Sequence, residues 1–157
     1  MDDVAGLLAT LAGMAAIIAV GAVQLRRPAV SHVEVTDVDG ETRLVVRLPT
    51  WDAIWAMKRS VTVPLLRVAH VTASDAAGVP RRGMRMPGTA LPGVIRSGSY
   101  GSAPQRELWN VRRAARVLVI DLNPPEPYAR IVLEVADPDG LAEQLREALA
   151  AARSQPR

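Results

Sequence analysis

From Val4 to Val23 the chain runs for 20 residues without a charged side chain, and Thr10 is its one polar group. At a rise of about 1.5 Å per residue, such a run covers the roughly 30 Å hydrocarbon core of a bilayer. A helix over it has no polar stripe to turn to water, which argues against a core helix of a globular domain. Gln24 and Leu25 follow, then Arg26-Arg27-Pro28. The arginines suit the head-group layer, and Pro28 ends the helix. A cleaved leader wants a basic stretch ahead of the apolar run, and here that stretch is Met1-Asp2-Asp3. The expectation is one N-terminal transmembrane helix, an anchor over residues 1–27 flanked by Arg26 and Arg27. Acids before the span and arginines after it place the N-terminus outside and the C-terminal domain on the cytoplasmic face of the cell membrane. Ala5, Ala9 and Gly13 recur at a small-xxx-small spacing that lets two such helices approach, although an Ala-rich span shows this spacing without a partner too.

The net charge of +3 conceals an uneven distribution. Residues 1–57 and 117–157 are each −3, whereas residues 58–116 are +9. A basic middle third points to an anionic neighbour: a membrane surface, a nucleic acid or an acidic protein face. On the expected topology it faces the anionic inner leaflet.

Behind a linker at 28–31, the pattern is that of strands closed by one helix. Val33 and Val35 alternate with polar neighbours, Asp37 to Gly40 reads as a turn, and Leu44 to Leu48 returns. Thr50 can cap a short helical stretch, Trp51 to Met57. Further strands are expected at Val61–Val63, Val68–Thr72, Val94–Tyr100, Glu107–Val111, Val117–Leu122 and Tyr128–Val135. At Asp137-Pro138 the period changes. An acidic cap and an early proline start a helix whose stripe is Leu141, Leu145 and Leu149, with Arg153 at its negative end. The domain is expected over 32–153 and a disordered tail over 154–157. The fold class is mainly β with a C-terminal α-helix, a barrel or sandwich of about seven antiparallel strands.

Groups that carry chemistry are sparse. With no cysteine there is no thiol nucleophile, disulfide or zinc–thiolate site. Phosphate-cradling glycine loops are absent. Ser97-Gly98-Ser99-Tyr100-Gly101 falls one glycine short of a nucleophile elbow, and both histidines, His32 and His70, precede Ser99. Those histidines are 38 residues apart with no ligand at metal spacing. Asp37 and Asp39 sit in a polar turn, and Asp137-Pro138-Asp139-Gly140 fits a helix start better than a calcium loop. The expectation is no enzyme, no cofactor and no metal. Trp109 reads as a core residue, while Trp51 and Trp55 fit the core or a membrane interface equally well.

The 17 residues from Asp75 to Leu91 have no clear period, and loops this long in a compact domain are often functional. They carry Arg81, Arg82 and Arg85, interleaved with Met84 and Met86. Lys58, Arg59 and Arg96 are expected to extend the patch, with Arg112, Arg113 and Arg116 as further extensions, to give an anion or membrane-surface site.

Two stretches carry a resemblance: Gly83-Met84-Arg85-Met86-Pro87-Gly88-Thr89-Ala90-Leu91-Pro92-Gly93 followed by Gly98-Ser99-Tyr100, and Glu107-Leu108-Trp109 followed by Val117-Leu118-Val119-Ile120. Tyr128 with Ile131 to Pro138 completes the set. Together they resemble the bacterial PH-like (pleckstrin-homology-like) domain membrane proteins of actinobacterial type, over roughly residues 31–152. The resemblance implies two packed antiparallel sheets, seven strands in all, closed by a C-terminal helix. It transfers no ligand, because the loop that carries basic residues in phosphoinositide-binding relatives is here Asp37-Val38-Asp39-Gly40-Glu41, followed only by Arg43 and Arg47. The function expected is a non-enzymatic, single-pass interaction module whose partners are the membrane, a protein or a second copy of itself. The alternatives are an accessory subunit or scaffold of a larger membrane complex, and a membrane-tethered nucleic-acid binder. The last is disfavoured by the lack of Lys-rich runs and of stacking aromatics on strands.

Overall fold

The structure, a computed structural model, describes residues 30–38, 40–49, 60–83, 90–91 and 95–154. The proposed span Val4–Val23, the flanking Arg26 and Arg27, and the helical stretch at Trp51–Met57 lie outside these residues. Among the described residues, no helix is long and apolar enough to cross a membrane.

β1 (His32–Val38) and β2 (Glu41–Arg47) form a hairpin in unbroken register, from His32 opposite Arg47 to Val38 opposite Glu41. Gly40, with φ of 78°, supplies the left-handed residue of the turn. β3 (Ser60–Pro64) pairs with β2 and completes a three-stranded sheet. A 3-10 turn (Leu65–Arg67) leads into β4 (Val68–Asp75). Then come β5 (Ala90–Leu91), β6 (Ile95–Tyr100), β7 (Glu107–Val111), β8 (Arg116–Leu122) and β9 (Arg130–Leu133). With β4 they make a six-stranded sheet ordered β4-β8-β9-β7-β6-β5. The chain ends in α1 (Pro138–Ser154), whose last residue the sequence had placed in the tail.

The fold is thus mainly β with one C-terminal helix among the described residues. It departs from the sequence expectation in three ways. Among the described residues there are nine strands rather than about seven: each run read from the sequence forms a strand of its own, and a two-residue β5 is added within the aperiodic segment. Neither sheet closes on itself, so no barrel forms. β7 and β9 run parallel, with Glu107 opposite Arg130 and Asn110 opposite Leu133.

The parallel pair follows from a skipped position. β7 and β8 are joined by only a few residues, yet β9 is inserted between them. The connection therefore arches over the end of β9, across two strand spacings of about 4.8 Å each. Glu134, the residue after β9, holds the arch. Its Oε2 accepts the backbone N–H groups of Arg112, Arg113 and Ala114 at 2.7, 3.1 and 3.3 Å. A carboxylate fed by three amides needs no cation to be satisfied, which explains how Glu134 is buried.

Alternation along the central strands splits the apolar residues into two sets. Leu108, Leu118, Ile120, Ile131 and Leu133 face inward, against Leu44, Val46, Val61 and Val63 of the small sheet and Ala142, Leu145 and Leu149 of α1. Trp109, Val111, Val117, Val119 and Val132 face the other way, with Tyr100 and Ala76. Both faces of β7 are buried, so its five residues show no alternation of buried and exposed positions. α1 begins as its sequence says: Asp137 Oδ1 accepts the Gly140 N–H at 3.0 Å. Arg153 Nη2 ties the last turn to the Val68 carbonyl at 3.0 Å. At the other end, Asp139 bonds Arg116, with Nε–Oδ2 at 2.8 Å.

Candidate functional site

The site is built on the outer face of the six-stranded sheet. Beyond β4, the Ala76 N–H bonds the Ala115 carbonyl at 2.8 Å, and Gly78 N–H closes a turn onto Asp75 at 2.9 Å. Val79 then packs on the outer apolar set. At Arg82 the backbone N–H reaches Glu107 Oε2 at 3.3 Å. Asp75 is opposite Arg116 on β8, whereas the Glu107 row reaches β8 at Asp121. Those rows are five residues apart, about 17 Å along a strand. Residues 76–83 therefore form a strap that crosses the sheet from one end to the other.

The far end of the strap is fixed by a close contact and a carboxylate. Gly83 and Gly101 both have positive φ, 84° and 72°, and a Cβ on Gly83 would lie 2.7 Å from the Gly101 Cα. Only two glycines allow the backbones to pass this closely. Glu107 is 1% exposed. Its Oε2 also accepts the Trp109 indole N–H at 2.8 Å, two residues along β7 and hence on the same face. Across the parallel pair, Arg130 Nη1 stands 3.7 Å from Glu107 Oε1, while Arg130 Nε bonds Asp121 Oδ1 at 2.7 Å. The registers extend this row to Tyr100 on β6 and to an exposed His70 on β4. Tyr100 meets Trp109 edge to face, with centroids 6.1 Å apart. Glu107 thus joins two central strands to the strap, and burial leaves it no face for a substrate.

The arginines expected to act together are divided. Arg81 and Arg82 stand exposed at the clamped end of the strap, and neither side chain forms an ion pair among the described residues. Arg96 is opposite Val111, four residues of β7 away from Glu107, or about 13 Å, and so at the other end of the sheet. Arg112, Arg113 and Arg116 share that other end. Arg116 is neutralised there by Asp75, at 3.2 Å, and by Asp139. Hydrogen bonding from Arg116 holds the Asp139 carboxyl below its ordinary range, and the same contact raises Arg116. Arg85, Lys58 and Arg59 lie outside the described residues.

Sequence reasoning missed Arg67 and Arg106, which share the Arg82 end. Arg67 Nη1 bonds the Pro124 carbonyl at 3.0 Å, and Arg106 precedes Glu107. It also missed Glu107. The signal was there: between residues 58 and 116 the only acids are Asp75 and Glu107, and Glu107-x-Trp109 on a strand puts both side chains on one face. Among the described residues, no three His, Cys, Asp or Glu side chains group as a metal site. His32 lines a shallow cleft of about 250 Å³ with Ser31, Val135, Asp137 and Gln144, at the junction of β1 with α1.

No protein-family model matches the chain, no curated protein matches its sequence, and no solved structure matches its fold.

Proposed function

We propose that the chain is a non-enzymatic, membrane-anchored interaction module of PH-like type, whose β domain rests the clamped end of its strap on the anionic cytoplasmic leaflet. The observation that carries this reading is the pair Arg81-Arg82, exposed and without a counter-ion among the described residues, on a backbone pinned by a buried carboxylate. The uncharged run Val4–Val23 supplies the tether, and Arg26-Arg27 its cytoplasmic flank. The PH-like reading rests on the motifs quoted above and on the order of strands followed by a helix; the parallel β7–β9 pair is its main departure.

Each arginine near an anionic surface contributes on the order of 1 kcal/mol. Two such residues are too weak to recruit a free protein. They suffice to orient a domain that is already tethered, because tethering makes the second contact intramolecular.

The test is hydrogen–deuterium exchange on the full chain in nanodiscs of phosphatidylglycerol or phosphatidylcholine. Exchange across residues 76–83 is expected to slow on the anionic lipid alone, and to return to the neutral-lipid rate in the R81Q/R82Q double variant or at high salt. Equal exchange on both lipids overturns the leaflet contact. A C-terminal topology reporter active outside the cytoplasm overturns the orientation.

A further inference from the structure

Among the described residues, three of the four sheet edges carry a feature that discourages pairing. β4 carries a register irregularity between Val68 and His70, and Arg153 occupies its first carbonyl. β3 is five residues long and ends in Pro64. β5 has two residues. Bulges, prolines and short strands are the usual devices that keep an edge from pairing. β1 lacks all three, and its acids Glu34 and Asp37 restrict the registers it can take rather than interrupt the strand. Its seven residues contain no proline and no lysine, its register with β2 is unbroken, and among the described residues it is hydrogen-bonded on one side only.

We propose that the β1 edge is a self-association surface, on which β1 of a second copy of this chain pairs antiparallel about a two-fold axis at Val35. The sequence of the strand selects both the partner and the register. With Val35 opposite Val35, all seven residues pair: His32 with Val38, Val33 with Asp37, and Glu34 with Thr36. No like charges are opposed. Centring on Glu34 or on Asp37 sets two carboxylates against each other, which destabilises a strand pair. Centring on Thr36 pairs only the residues from Glu34 to Val38.

The faces match as well. Val35 is opposite Leu44 within the hairpin and is 38% exposed, although it lies on the inward face with buried Leu44. Pairing of two copies makes one apolar row of Leu44, Val35, Val35 and Leu44 and covers that exposure. On the opposite face, each Arg47 enters a row that ends in Glu41 of the second copy, so the charges at the two ends of the row are complementary. The product is a continuous six-stranded sheet of closed two-fold symmetry, with no β1 edge left to propagate.

The chain has no cysteine, so a single Val35→Cys reports the axis directly. Directly opposed residues in an antiparallel pair have Cα atoms about 4.5–5.5 Å apart, inside the range that a disulfide spans. The full chain is purified in detergent, oxidised mildly and resolved by size. Thr62→Cys, exposed on β3, is the collision control. The expected result is a dimer band for Val35→Cys at least tenfold faster than for Thr62→Cys. Val35→Lys, which opposes two charges at the axis, is expected to shift the native mass toward monomer. A Val35→Cys rate no greater than that of Thr62→Cys overturns the proposal, even if the particle is dimeric, because the anchor then holds it. A cross-linked product in native membranes whose mass is not twice that of the chain also overturns it, in favour of a different partner strand.

Discussion

Replacing Glu107 with Ala removes the acceptor of the Trp109 indole, one of the two acids beside Arg130, and the strap's hold at Arg82. A buried donor left without a partner costs about 1–3 kcal/mol. Breaking a buried ion pair by deleting one partner costs about 3–5 kcal/mol. Arg130 is 13% exposed and keeps Asp121 at 2.7 Å, so the second cost falls at the low end of that range. The two overlap, because both describe the environment of one carboxylate, and a total of about 3 kcal/mol follows. Against a whole-domain stability of roughly 5–15 kcal/mol this is a large fraction. With a urea slope of about 2 kcal/mol per molar, the midpoint moves down by about 1.5 M. Glu107→Gln keeps the volume and an acceptor for Trp109, and is expected to lose about half as much. The assay is urea unfolding of the full chain in non-ionic detergent, read by tryptophan fluorescence, with exchange of the 76–83 amides measured alongside. A midpoint for Glu107→Ala within about 0.3 M of the parent, set against the same slope, refutes the clamp. A lowered midpoint with unchanged exchange at Arg82 refutes the link from the clamp to the strap.

Gly83→Ala forces a Cβ against the Gly101 backbone at a φ of 84°, and is expected to cost about 1–3 kcal/mol and to speed exchange in the strap; urea unfolding and exchange read the two effects. Glu134→Gln weakens three charge-assisted bonds at once, so the amides of Arg112, Arg113 and Ala114 should exchange markedly faster while those of α1 do not. The Asp139 carboxyl, depressed in the folded state by Arg116, adds stability above its ordinary pKa of about 4 and loses it as pH falls through the lower folded value. Arg116→Ala should return the Asp139 titration, followed by carboxyl NMR, to the ordinary range; an unchanged titration refutes the pairing.

The parts of the fold that repeat locally are legible in the sequence. The β1–β2 hairpin follows from alternation and an Asp/Gly turn, β8 from its apolar run, and α1 from an aspartate cap, an early proline and leucines at i, i+4 and i+8. The parallel seam is not legible. Which strand lies beside β7 is decided by the arch and by Glu134, and no periodicity records a skipped position. The basic patch shows the same limit. Charge counts place +9 in one stretch of chain, but strand direction sends Arg82 and Arg96 to opposite ends of the sheet. A lone acid on an apolar strand has the pattern of a solvent-facing residue, so the sequence pattern does not mark Glu107 as buried. Its burial follows from the strap, which is a tertiary feature.

Ser31 meets the fold in an unexpected place. Although β1 begins at the next residue, the Ser31 N–H bonds the Glu134 carbonyl at 2.8 Å, and its hydroxyl accepts from Asn110 Nδ2 at 2.9 Å. Tension transmitted through the residues before Val30 therefore arrives at β7 and β9, in the middle of the larger sheet, before it reaches the hairpin. A load on an outer strand peels a ladder one bond at a time. A load on two interior strands is shared among bonds that must rupture together. A pull on the chain ahead of Ser31 is felt at the β7–β9 seam and the arch above it, while the β1 edge carries little of the load.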